Sequence, residues 1–319
     1  MGRGADQTHR GKRPLVNPED RMNSVSYTNL EGVKVPLYQR FIGDKTECWF
    51  FGSGLGEFTM FRQMGDSFLQ MVDEGNDPEL GRIMFSMGHG DSAFMSYKGD
   101  YNVVWTWGLP INKLEPYLKR LQVKPDLFMS NDPPLNEHTE KLGVKSIQMC
   151  AGVNPSMFYP LNLERKGIGY CGVDNKGKRQ FEIMIKPALR YDFQWISKFK
   201  DELLEISDLN IWYNKKQLVL GMVHESRQNV RYIPTRVIET LATATPLIIY
   251  KIHELEESLG FKYPYQSTHP DMTDKMINYI IDNPEKVNQE FKKYSEDVVE
   301  IHDYKIKLGK IFEELRDVK

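Results

Sequence analysis

Short apolar runs alternate with stretches of helical period along most of the chain, and the alternation restarts once after an interval broken by prolines. Cys48–Phe51 reads as a buried strand, a glycine-rich turn follows, and Phe58, Phe61, Met64, Phe68, Met71 and Val72 recur at helical spacing. Runs at 81–87 and 101–107 read as strands, 114–122 as a helix, 125–131 as a strand, 134–143 as a helix and 145–151 as a strand. Residues 152–167 hold two prolines and no sustained period, which makes them a linker. A second series then predicts strands at 167–173, 192–197, 217–223 and 246–250, with helices at 176–190, 199–208 and 235–244 between them. Strands that alternate with helices need crossover connections, so each series predicts a parallel sheet covered on both faces. The expected organisation is a polar arm at 1–40, a first Rossmann-like domain at 41–160, a second at 161–300, and a C-terminal helix at 301–319. That helix carries Ile301, Tyr304, Leu308, Ile311, Phe312 and Leu315 on one stripe and is expected to pack back toward the first domain. Two doubly wound α/β sheets joined in this way leave a cleft at their strand ends, where such sheets bind ligands.

Composition narrows the function. At 319 residues the chain has enough length for two cores. Lys+Arg at 42 against Asp+Glu at 44 give a net charge of -2, so no global field draws it onto nucleic acid or an anionic membrane. Cys48, Cys150 and Cys171 have neither CxxC spacing nor an even count, which argues for reduced thiols and against structural zinc or a disulfide framework. The start of the chain has basic residues, among them Arg10, Lys12 and Arg13, but no apolar segment of a secretion signal, and no later run is apolar enough to span a bilayer. A cytoplasmic protein is expected, in a bacterial cell or in an infected host if the gene is a phage's.

The stretch YIPTRVIETLATATPLIIY, residues 232–250, poses the sharpest question. A helix beginning at Pro234 or Thr235 carries the carboxylate of Glu239 in its first turn, where the helix dipole is expected to lower the cost of holding the charge, and stops at Thr245-Pro246 before an apolar strand. Burying a charge there is costly. The alternatives are a solvated surface carboxylate and a ligand contact.

The order of segments 125–161, 168–173, 234–248 and 302–315 resembles glycosyltransferases of GT-B architecture, most closely the spore-maturation-type (CgeB-like) and group 1 branch. The segment that closes the first domain in that family, Gly-Val-(Asp/Asn)-x-x-x-Phe-x-Pro, is similar to Gly152, Val153, Asn154, Phe158 and Pro160, with one residue added before the proline. The pattern R-(V/L)-(F/I/L)-E-A-L-A-x-G-T-P-L-I is similar to Arg236–Ile248, with Ala244 where the pattern has glycine. The closing H-x-Y-x-x-(R/K)-L matches His302, Tyr304, Lys307 and Leu308. The resemblance implies that Glu239 accepts hydrogen bonds from the ribose hydroxyls of a nucleotide-sugar donor, two donors meeting two carboxylate oxygens. It also implies a diphosphate site, for which Lys178 and Arg179 at a helix start, Arg231, Thr235 and Arg236 around the Glu239 helix, and the turn Gly52–Glu57 with Ser53, Gly54 and Gly56 are the candidates. Each of these cations also fits a surface salt bridge, and the turn also fits plain packing. Many relatives carry a second carboxylate eight positions before the glutamate; here that position is Arg231, and His224 and Glu225 stand in as candidate contacts to the donor sugar.

The implied reaction is displacement at the anomeric carbon, with a nucleoside diphosphate leaving and an acceptor hydroxyl attacking. Candidate bases are His89, Asp91 and Asp132, all at strand ends; a retaining enzyme needs none. No Asp-x-Asp motif occurs, so metal-independent transfer without a further cofactor is expected, with a UDP-linked sugar as co-substrate. The acceptor stays open between a saccharide, a small molecule, a protein and a hydroxymethylated DNA base, DNA being kept in view by the basic arm and by Trp105 and Trp107. A sugar-nucleotide epimerase and a non-catalytic binding scaffold remain as alternatives.

Overall fold

The structure is a computed structural model, which describes residues 22–24, 37–52, 55–87, 99–106, 109–121, 123–172, 177–196, 206–223 and 231–318. Two sheets organise it. The first contains β1 (Met22–Ser24), β2 (Leu37–Ile42), β3 (Thr46–Gly52), β4 (Gly81–Met87), β5 (Tyr101–Trp105), β6 (Leu127–Ser130) and β7 (Ser146–Gln148), hydrogen-bonded in that order. From β3 to β7 every pairing is parallel, whereas β1–β2 and β2–β3 are antiparallel. The sequence reading leaves residues up to 40 without elements; the structure instead extends the sheet edge with them, because fully buried Phe41 anchors β2 against the core.

Burial alternates along the strands at the two-residue period that a sheet imposes. Phe50, Phe85, Val103 and Leu127 share a core with Phe61, Met64 and Phe68 of α1 (Leu55–Asp73). Their neighbours Val104 and Phe128 pack with Leu114 and Tyr117 of α2 (Leu114–Arg120) and Leu135 of α3 (Pro133–Lys141). Helices therefore cover both faces.

The second sheet is wholly parallel and contains β8 (Ile168–Cys171), β9 (Phe193–Ile196), β10 (Leu218–Gly221), β11 (Leu247–Tyr250) and β12 (Gln266–Ser267), in the order β12-β11-β10-β8-β9. The helix expected at 176–190 is α4 (Lys178–Gln180), a π-helical turn at Phe181–Ile185 and α5 (Lys186–Ala188) in succession. It is followed by α6 (Ile206–Asn214), α7 (Thr235–Ala242), α8 (Leu255–Leu259) and α9 (Pro270–Asp282).

Two long helices end the chain. α10 (Pro284–His302) buries Val287, Phe291 and Val298 in the core of the second sheet, and α11 (Tyr304–Arg316) buries Leu308, Ile311, Phe312 and Leu315 in the core of the first. Full burial of each such side chain is worth roughly 1.5–3 kcal/mol, enough to fix α11 there. Asp303 between them pairs with Val153: Val153 N donates to His302 O at 2.9 Å, and Tyr304 N donates to Val153 O at 2.9 Å. The two passages of the chain between the sheets are thus tied together. No helix among the described residues is long and apolar enough to cross a membrane.

Candidate functional site

β8 has β9 on one side and β10 on the other, so the chain leaves this strand in one direction and returns to its opposite flank. Connections from such a pair of strands diverge and leave a crevice at the strand C-termini. β8 ends there at Cys171 and β10 at Gly221, and α7 follows β10.

α7 is buried from Val237 to Ala242. Its threonines satisfy the backbone that such burial would orphan. Thr240 Oγ1 donates to Arg236 O at 2.6 Å, Thr243 Oγ1 to Thr240 O at 2.7 Å, and Thr245 Oγ1 to Tyr213 O at 3.0 Å. The helix opens at Thr235 with Pro234 as its N-cap, so Glu239 sits one turn in. The expectation that the helix start helps to hold its charge is therefore corrected: the dipole's influence is confined to the first turn. Burial is met by partners instead.

Arg236 reaches from the first turn of α7 to the end of β8, where its Nη1 hydrogen-bonds Cys171 O. That approach needs the bare backbone of Gly172, since a Cβ there would collide with the guanidinium and with the Tyr170 hydroxyl. Arg236 therefore places a fixed cation at the switch point. Glu239, 4% exposed, accepts a 2.7 Å hydrogen bond on Oε1 from Gln63 Nε2 of α1, which belongs to the first sheet. Gln63 Oε1 in turn accepts from Asn154 N at 3.0 Å, and Asn154 Nδ2 donates to Gln63 O at 3.4 Å. A buried amide pair thus clips the two halves together over the carboxyl. The Tyr213 hydroxyl is buried without a hydrogen-bond partner among the described residues, and it lies near enough to the carboxyl to pull its pKa down. Burial pushes the Glu239 carboxyl up to about 7, against the opposing pull of the Gln63 hydrogen bond and the Arg236 charge.

The other candidates divide. Lys178 and Arg179 open α4 behind Gly177 and are exposed, with no ion pair among the described residues. Thr235 is half-buried and its hydroxyl faces Met60 Sδ of α1 at 3.6 Å. Arg231 is already engaged, its guanidinium held by Glu254 and Glu257. Asp132 stands at the N-cap position of α3, half-buried and with no side-chain capping bond; burial raises its carboxyl above the usual range, with Arg231 and His253 pulling it down and Glu254 pushing it up. That direction suits a general base. Gly56 lies within the first turn of α1 rather than in the loop before it. Ser53, Gly54, His89, Asp91, His224, Glu225, Trp107 and the basic arm lie outside the described residues. Trp105 is a core residue, 1% exposed with its Nε1 donating to Met149 O, so it offers no face to a nucleic-acid base.

Sequence reasoning missed Gln63 and Gln180. Gln180 clamps the end of β10, its amide exchanging hydrogen bonds with the backbone N and O of Val223. The available signal was an amide inside an apolar stripe: Gln63 lies between Met60 and Met64, both buried. A polar side chain at such a position must have a partner.

No family model matches the chain, and no curated relative matches it. Solved structures do. An α,α-trehalose 6-phosphate synthase from Burkholderia multivorans superimposes with a TM-score of 0.51 at 10% identity, over 90% of this chain and 89% of that one. A UDP-forming α,α-trehalose-phosphate synthase from Burkholderia vietnamiensis gives 0.51 at 12% identity, over 89% and 90%. Anabaena HepE, solved with UDP and glucose, gives 0.50 at 9% identity, over 72% and 77%. At such identities the likeness speaks for the fold, which is the α/β GT-B architecture expected from the motifs.

Proposed function

We propose that the protein is a glycosyltransferase that moves a sugar from a nucleotide-sugar donor, UDP-linked in the simplest case, to an acceptor hydroxyl. The observation that carries this reading is the pairing on α7 of a cation at the end of β8 with a buried carboxyl one turn further on. A nucleoside diphosphate has the complementary pattern, anionic phosphates beside a ribose with vicinal hydroxyl donors. Oε2 of Glu239 accepts one ribose hydroxyl, and displacement of the Gln63 amide frees Oε1 for the other. Arg236, with Lys178 and Arg179 at the start of α4, neutralises the leaving diphosphate and so lowers the barrier to its departure. Asp132, on the opposite sheet, takes the acceptor proton if the reaction inverts. Transfer runs without a metal or further cofactor in this reading, because the sequence carries no Asp-x-Asp motif. Neighbouring structures that form or bind UDP support the donor class. The CgeB-like assignment rests on the motif alone.

The test is release of nucleoside diphosphate from a panel of nucleotide sugars, with and without added acceptor hydroxyls. Acceptor-dependent release lost in Arg236→Ala supports the reading. Isomerised donor sugar without any acceptor requirement overturns it in favour of an epimerase, and binding without turnover leaves only the scaffold.

A further inference from the structure

A second chemically loaded site lies away from the switch point, where the chain passes between the two sheets. Cys150 follows β7 and is half-buried. Its Sγ is 3.3 Å from His302 Nδ1, 3.5 Å from Lys307 Nζ and 3.8 Å from Ser258 O. The other ring nitrogen of His302, Nε2, lies 3.0 Å from Leu259 O. A carbonyl oxygen only accepts, so Nε2 carries the hydrogen and Nδ1 turns its lone pair toward the thiol. The thiol proton has a base to go to.

Lys307 makes the case independent of the histidine. It is 6% exposed, and among the described residues its ammonium has one hydrogen-bond partner, Cys150 Sγ. A buried ammonium needs an anion, and among the described residues the thiolate is the one within its hydrogen-bond reach. Gly152 is shaped to let the lysine pass: a Cβ there would meet the Lys307 stem at 2.9 Å and His302 O at 2.5 Å. The thiol borders a recess of about 230 Å³, lined also by Asn131, Gln148 and Ser258, too small for a nucleotide but open to a small reagent. The charged and titratable groups around it are His302 of α10, Lys307 and Lys310 of α11, and Glu257 of α8, with Tyr304 behind. Burial pushes the thiol up, and the charges of Lys307 and His302 outweigh it to bring it to about 6. Cys48 and Cys171 are raised by burial instead.

We propose that Cys150, His302 and Lys307 form an activated-thiolate site at the chain crossover, open to covalent modification by peroxides and other soft electrophiles. With hydrogen peroxide the thiolate attacks one oxygen. An S–O bond forms as the O–O bond breaks, sulfur is oxidised to the sulfenic acid, and the departing hydroxide takes the proton held by His302 and leaves as water. Loss of the thiolate strips Lys307 of its partner beside the Val153–Asp303 tie, which couples the modification to the junction of the two sheets.

The folded protein is treated with iodoacetamide from pH 5 to 9 and each cysteine is followed by peptide mass spectrometry. Because nucleophilicity falls together with pKa, the midpoint of the pH–rate profile carries the test rather than the rate. Cys150 alone is expected to react, with a midpoint near 6; in Lys307→Met the midpoint moves toward the ordinary thiol value of about 8.5. Brief peroxide treatment followed by dimedone is expected to tag Cys150 and neither of the other two. A wild-type midpoint at the ordinary value, or labelling of Cys171 as fast as Cys150, overturns the proposal whether or not the variant folds.

Discussion

The Glu239 carboxyl gives the account a quantity that can be measured. Its folded value of about 7 stands above the ordinary 4.5, so the native protein binds a proton more tightly than the unfolded chain does. Where the folded state holds more protons, stability falls as pH rises. The loss begins near pH 4.5 and is complete above pH 7, the reverse of a salt-bridged carboxylate. That upward displacement corresponds to about 3 kcal/mol. The same linkage places about 1 kcal/mol of that cost at pH 5 and about 3 kcal/mol at pH 8. Glu239→Gln keeps the shape and the Gln63 contact through its carbonyl oxygen but has no charge to bury. Urea unfolding followed by tryptophan fluorescence, on both proteins at both pH values, should show the variant gaining on the wild type by about 2 kcal/mol between pH 5 and pH 8. Parallel pH dependences would refute the reasoning, because the carboxylate would then be as well solvated in the folded protein as in the unfolded chain.

Other expectations follow from single contacts. Gln63→Leu removes the donor to Glu239 and the acceptor for Asn154 N, and leaving these buried groups unpaired should cost about 1–3 kcal/mol in the same unfolding assay. Gly172→Ala drives the Arg236 guanidinium from the end of β8, so it should weaken nucleoside diphosphate binding while leaving the circular dichroism spectrum unchanged. Ala244 holds a φ of 53°, a left-handed conformation that costs a residue with a Cβ about 1 kcal/mol. Ala244→Gly should therefore raise the melting temperature, the reverse of what glycine does in an ordinary helix.

The parallel strands from β3 to β11 and the helix α1 were legible because buried parallel strands and amphipathic helices have strong periods. The runs around Phe85, Val103 and Leu247 became strands, and the stripe on α1 became its buried face. The antiparallel edge was not legible, since β1 and β2 lie in a polar, weakly patterned segment and are held by pairing with β3 more than by their own composition. At the site, the motif brought Arg236 and Glu239 forward as a pair. What they touch was hidden, because Gln63 lies 176 residues away from Glu239 and no local pattern announces a contact across two sheets. For Arg231 the salt-bridge alternative is the one that folding selects, and its partners were hidden for the same reason: Glu254 and Glu257 reach it only once β11 and α8 are folded.

The most direct test of the central claim is calorimetric titration of UDP and GDP into the wild-type protein and Glu239→Ala at pH 8, where the carboxyl is ionised. The account expects one of the two nucleotides to bind the wild type, with affinity at least tenfold weaker in the variant. Absence of binding by both, or equal affinity in the two proteins, would contradict the assignment of the β8–β10 crevice as a nucleotide-sugar site.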